Sequence, residues 1–133
     1  MKQSLQAEKI SGNDFAVVIV SNENSVFSNL SKSLAEIRKS KGVKGYILRS
    51  NSSALVDLSE TEKISQYALL SWQIEESGQN LARQFSLGVP ESTLIEGAEV
   101  KVLCMSIGEN RLSVFLEKQE PPAWIIKRII TQT

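Results

Sequence analysis

The chain has 133 residues and a mass of 14.7 kDa, the length of one domain. Fifteen Lys and Arg balance fifteen Asp and Glu, which leaves no cationic surplus for general nucleic-acid binding. There is no histidine and one cysteine, Cys104. These counts exclude His-based acid–base work, a Ser-His-Asp triad, His-ligated metal sites and an internal disulfide.

The opening MKQSLQAEKI has no apolar stretch behind a basic start, and the longest apolar run, Phe15–Val20, is too short to span a bilayer. The expectation is a soluble, cytoplasmic protein without a transmembrane segment. Residues 1–14 are mixed and polar and end in the turn cluster Ser11-Gly12-Asn13-Asp14. Phe15–Val20 is a β-branched run of strand length, followed by a polar loop over 21–25 that supplies N-cap residues. Phe27, Leu30, Leu34 and Ile37 then recur at helical spacing, with Gly42 as a left-handed stop. Arg38, Lys39, Lys41 and Lys44 read as the basic C-terminal end of that helix.

Gly45–Arg49 and Ala54–Leu58 read as strands joined by the turn Ser50-Asn51-Ser52-Ser53. Ser59 and Glu62 form a capping-box pattern that opens a helix running to Leu87, with Gly88 and Pro90 closing it. The expected core stripe of this helix holds Ile64, Tyr67, Ala68, Leu70, Ser71, Ile74, Gly78, Leu81, Ala82 and Phe85. Leu69 and Trp72 fall on another face, so the helix has one apolar face for the core and a second that suits a partner.

Glu91–Glu96 is a half-polar strand, and Glu99–Ile107 is apolar on both faces, with Val102 and Cys104 on one and Leu103, Met105 and Ile107 on the other. Gly108-Glu109-Asn110 turns the chain into Arg111–Glu117, and Pro121-Pro122 precede 123–130, a short helix with a strand as the alternative. The element order predicts an α+β fold with a central, mainly antiparallel five-stranded sheet and room for an extra N-terminal strand. One long helix lies on one face, and shorter N- and C-terminal helices lie on the other. Cys104 reads as a packing residue, Trp124 as core, and Glu75-Glu76 as solvated helix surface or a partner contact. No phosphate-binding glycine motif occurs.

Four stretches carry a family resemblance: the helix leading into KGVKGYILRSNSSALVDLS, the long YALLSWQIEESGQNLARQFSLG helix, ESTLIEGAEVKVLCMSIGENRLSVFLEK, and the closing helix. Together residues 28–130 resemble the Roadblock family, the dynein light-chain and small-GTPase-regulator domain related to longin and profilin-like folds. On this basis residues 28–133 form the Roadblock-like domain. Residues 1–27 are an extension that adds an edge strand or covers the sheet or a partner. The Asn51-Ser52-Ser53 turn departs from the family's usual Asp-Gly type.

The resemblance implies a non-enzymatic homodimer, or a heterodimer with a paralogue, that scaffolds or regulates a small Ras-like GTPase without a cofactor. It places the dimer contact on Leu69, Trp72 and Glu76 of the long helix and on Ser92, Thr93, Leu94 and Ile95 of the next strand. Arg49, Arg83 and Arg111 stand out as the arginines away from helix C-termini, without one being assignable as an arginine finger. Two other functions fit the element order: a ligand-sensing module of PAS or profilin type, and a subunit of a motor or membrane-associated complex.

Overall fold

The computed structural model of the chain describes residues 4–11, 14–20, 25–88 and 91–132. In chain order the elements are β1 (Ser4–Ser11), β2 (Asp14–Val20), α1 (Ser25–Ile37), β3 (Val43–Arg49), β4 (Ser53–Leu58), α2 (Ile64–Gln84), β5 (Ser92–Glu96), β6 (Val100–Ile107), β7 (Asn110–Glu117) and α3 (Ala123–Gln132). The strands form one sheet in the order β1-β2-β4-β3-β7-β6-β5. Every neighbouring pair is antiparallel. The five strands β3–β7 are the expected sheet. The N-terminal region adds two strands, with β2 pairing on β4 and the polar β1 pairing on β2. The expected turn at Gly12-Asn13, the loop over 21–24 and Pro90 lie outside the described residues.

The alternation of β3, β6 and β7 sorts their side chains into two cores. On one face Leu103 and Met105 of β6 pack with Leu112, Val114 and Leu116 of β7, with Phe27, Leu30, Leu34 and Ile37 of α1, and with Ile125 and Ile129 of α3. On the other face Val102 and Cys104 of β6 and Phe115 of β7 pack with Ile74 of α2. α3 is a helix rather than a strand. The Pro122 carbonyl accepts the first helical bond from Ile126 (3.2 Å), so the proline is the N-cap rather than the first helical residue.

An ion pair locks the larger core. Arg38, just past α1, lies 3.4 Å from Asp57 of β4, whose side chain is 3% exposed, and also donates to the Val43 carbonyl. Tyr46 is buried beside this pair. Burial, reinforced by the Asp57 charge, raises its phenol far above the usual range.

Three expected local devices differ. Gly42 is not in a left-handed conformation. The chain after α1 instead turns through bonds from Lys39 to Glu36 and from Ser40 to Ile37. The capping box does not form: the Ser59 hydroxyl donates to the Lys44 carbonyl at 2.6 Å, and α2 is entered through a 3₁₀ turn over Thr61–Lys63. α2 ends at Gln84, and the left-handed residue that caps it is Ser86 (φ 57°); Gly88, also left-handed (φ 82°), comes two residues later. The Leu87 amide bonds the Ala82 carbonyl and the Ser86 amide bonds the Arg83 carbonyl, the paired closure of a Schellman motif.

The β3–β4 turn forms as expected. The Ser50 hydroxyl oxygen accepts from the Ser52 and Ser53 amides, doing the work that glycine does in tighter turns. Gly45 sits where β3 is irregular against β7, which lets Val43 and Tyr46, three apart, face the same core.

Two substitutions test these points. A Cβ at Gly45 would lie 2.4 Å from the Asp57 carbonyl oxygen and 2.7 Å from the Leu58 Cα, both backbone atoms. Gly45→Ala is therefore expected to cost about 2 kcal/mol or more in urea unfolding; an unchanged midpoint would contradict the close approach. Ser86→Gly relieves a left-handed serine at roughly 1–2 kcal/mol and returns roughly 0.5–1 kcal/mol of chain entropy. The expected net is a rise of about 0.5–1 kcal/mol in stability, and a fall would contradict the assigned cap.

Candidate interaction face

α2 meets the sheet along a narrow stripe. Ser71, Ile74 and Ala82 are buried, with Ile64, Tyr67 and Gly78 partly so. Tyr67 stacks on Phe115 with ring centroids 4.5 Å apart. At Gly78 the helix comes so close to β5 that a Cβ would lie 2.7 Å from the Thr93 hydroxyl oxygen. Cys104 lies beneath this helix as a packing residue. Its sulfur is 3.3 Å from the Ser113 hydroxyl, and burial pushes the thiol up to about 11.

The rest of α2 is turned outward with much of its apolar content. Leu69, Trp72, Leu81, Phe85 and Leu87 are 56–74% exposed, and Leu70 is also exposed. Ala68, Leu70, Leu81 and Phe85 were expected in the core stripe, and all four are exposed. The stripe that reaches the sheet is narrower than the apolar arc of the helix, so these four side chains stay outside it. At 100° per residue Leu69, Trp72 and Glu76 share an arc of about 60°, and Leu70 and Leu81 lie together on the opposite flank.

The Leu69–Trp72–Glu76 flank faces the end of β3. There the Arg49 guanidinium lies 6.0 Å from the Trp72 ring centroid and 2.6 Å from Glu75. Glu75 is thus not solvated helix surface: its side chain is 8% exposed and paired. Glu76 beside it is exposed.

β5 is the last strand in the sheet order and pairs with β6 alone among the described residues. Thr93 and Ile95 sit opposite Cys104 and Val102, on the α2 face, while Leu94 sits opposite Leu103 on the other. Leu94 and Ile95 are 40% and 46% exposed, and Ser92 is exposed as well. An edge strand with outward apolar side chains is a template for pairing with another chain.

The residues singled out by the resemblance therefore fall into two groups, Leu69–Trp72–Glu76 on α2 and Ser92–Ile95 on β5, all exposed except Thr93, which is half-buried against α2 at Gly78. Leu70, Leu81, Phe85 and Leu87 enlarge the apolar surface. Periodicity alone could not flag those four, because buried and outward apolar residues follow the same helical spacing.

No family model matches the chain, and no curated protein matches it in sequence. Solved structures do resemble it. A Roadblock/LC7 domain from Streptomyces avermitilis superposes with a TM-score of 0.59 at 13% identity, covering 84% of this chain and 92% of that one. MglB of Myxococcus xanthus gives 0.61 at 16% identity, covering 86% and 88%. The gliding protein MglB of Thermus thermophilus gives 0.63 at 12% identity, covering 85% and 89%. The element order, the antiparallel sheet and the placement of the three helices agree with these likenesses: the chain has the Roadblock/LC7 fold.

Proposed function

We propose that this protein is a non-catalytic, homodimeric scaffold of the cytoplasm that binds a small Ras-like GTPase and modulates its nucleotide cycle. Residues 28–133 act as the Roadblock-like unit and 1–27 as its extension. The observation that carries the reading is the outward apolar surface of α2 together with the edge strand β5. A chain of this size gains nothing from leaving Leu69, Trp72, Leu81 and Ile95 in water unless a partner covers them.

A twofold contact would use the same patch on both copies. Leu69, Trp72 and Glu76 would supply the helix contact. Ser92, Thr93, Leu94 and Ile95 would extend the sheet across the pair. The likeness to Roadblock/LC7 and MglB structures supports regulation over catalysis. No described helix is long and apolar enough to cross a membrane.

Light scattering tests the assembly. Wild type is expected at about 29 kDa, twice the chain mass of 14.7 kDa. Two aspartates in a desolvated helix contact should weaken pairing by roughly 100- to 1000-fold, so Leu69→Asp with Trp72→Asp is expected to give a folded monomer. A monomeric wild type would overturn the dimer. In a pulldown, wild type should retain at least one small GTPase from a purified panel, with retention differing between the GDP and GTP-analogue forms. No retention in either form would remove the GTPase role.

A further inference from the structure

A groove of about 550 Å³ opens between α2 and the ends of β3 and β7. Three of the chain's five arginines line it, Arg49, Arg83 and Arg111, although the chain as a whole is neutral. Arg49 and Arg111 are directly opposite one another on adjacent strands. Both lie on the α2 face, two residues along from Ile47 and Ser113 respectively. Like charges in that register repel, so the pairing is a poor choice for stability alone.

The surrounding groups answer only one of the two. Arg49 is held by the nearly buried Glu75. Arg111 donates to the Ser106 hydroxyl at 3.2 Å and has no carboxylate within ion-pair distance among the described residues. Arg83 donates to the Asn80 side-chain carbonyl at 3.3 Å and likewise has no carboxylate partner among them. Two guanidiniums thus face one groove with most of their five donors each unfilled. The other carboxylate on the lining, Glu76, is exposed to solvent and makes no ion pair among the described residues. The volume lies within the roughly 300–1,000 Å³ of small-molecule sites, and the polar lining suits a hydrophilic occupant.

We propose that this groove binds a small phosphorylated ligand, with its phosphoryl oxygens on Arg111 and Arg83. A phosphoryl group carries close to two negative charges and matches two uncommitted guanidiniums. Its oxygens also suit the planar, bidentate fork of arginine. The Arg49–Glu75 pair and the Trp72 ring form the fixed wall behind it. The site rests on the geometry of one chain and does not depend on the GTPase reading; Trp72 and Glu76, which line it, also belong to the proposed helix contact, so the groove borders that contact.

The test is a titration of the protein as purified with inorganic pyrophosphate, against chloride and citrate at matched ionic strength, followed by the Trp72 indole N–H signal. The expected result is a saturable shift with pyrophosphate. Arg111→Gln and Arg83→Gln should each weaken it at least tenfold, while Arg128→Gln, on α3, should leave it unchanged. Arg111→Gln should also melt no lower than wild type, because it removes a like-charge contact. Non-saturable change, an equal response to citrate, or unaltered binding in both groove variants would overturn the site. Arg83→Gln lies on an exposed helix surface and decides the matter if Arg111→Gln does not fold.

Discussion

A single helix cannot cover this sheet, and most of what is distinctive about the molecule follows from that mismatch. Seven strands at about 4.8 Å spacing span roughly 29 Å, whereas a helix with its side chains is about 10 Å across. The face covered by α1 and α3 holds the larger core, with Leu30, Leu103, Val114, Ile125 and Ile129 fully enclosed. The other face has α2 alone. That helix anchors on Tyr67, Ile74 and Ala82 and leaves an apolar arc pointing outward. The exposed apolar side chains of α2, and Ile95 of β5 on the same face, are therefore a consequence of the architecture, and a second layer on this side would complete it.

The two faces are tied at different strengths. On the α1–α3 side the Arg38–Asp57 pair is deeply buried, so removal of either partner would strand a charge in the core. On the α2 side the comparable link is Arg49–Glu75, at the rim beside a groove. The first secures the fold. The second braces the wall of a site whose remaining cations have no carboxylate partner among the described residues.

Much of this was legible in the residues. The two-sided apolarity of Glu99–Ile107 foretold a three-layer domain, and the spacing of Phe27, Leu30, Leu34 and Ile37 matched the buried face of α1. Other features depended on long-range contacts. β1 is polar and exists through pairing with β2, which leaves no apolar alternation to read. Ser59 had a helix cap as its local option, and the Lys44 carbonyl on the neighbouring strand β3 competed successfully for its hydroxyl. Leu70 and Leu81 have the spacing of core residues, and only the width of the α2–sheet contact shows that they are outside it. Arg49, Arg83 and Arg111 stood out in the sequence by elimination. Arg83 in fact lies in the last turn of α2. The cross-strand register is what sets Arg49 against Arg111 and gives the three a common groove.

The central claim is that the outer edge of β5 is completed by another copy of the chain. Amide hydrogen exchange over Ser92–Glu96, measured at concentrations from well below to well above the pairing constant, tests it most directly. The amides pointing away from β6 should exchange near the rate of unprotected amides in dilute protein and slow at least tenfold as concentration rises. The core amides of β6 should remain protected throughout. Outward β5 amides that exchange at the unprotected rate at every concentration would contradict the account.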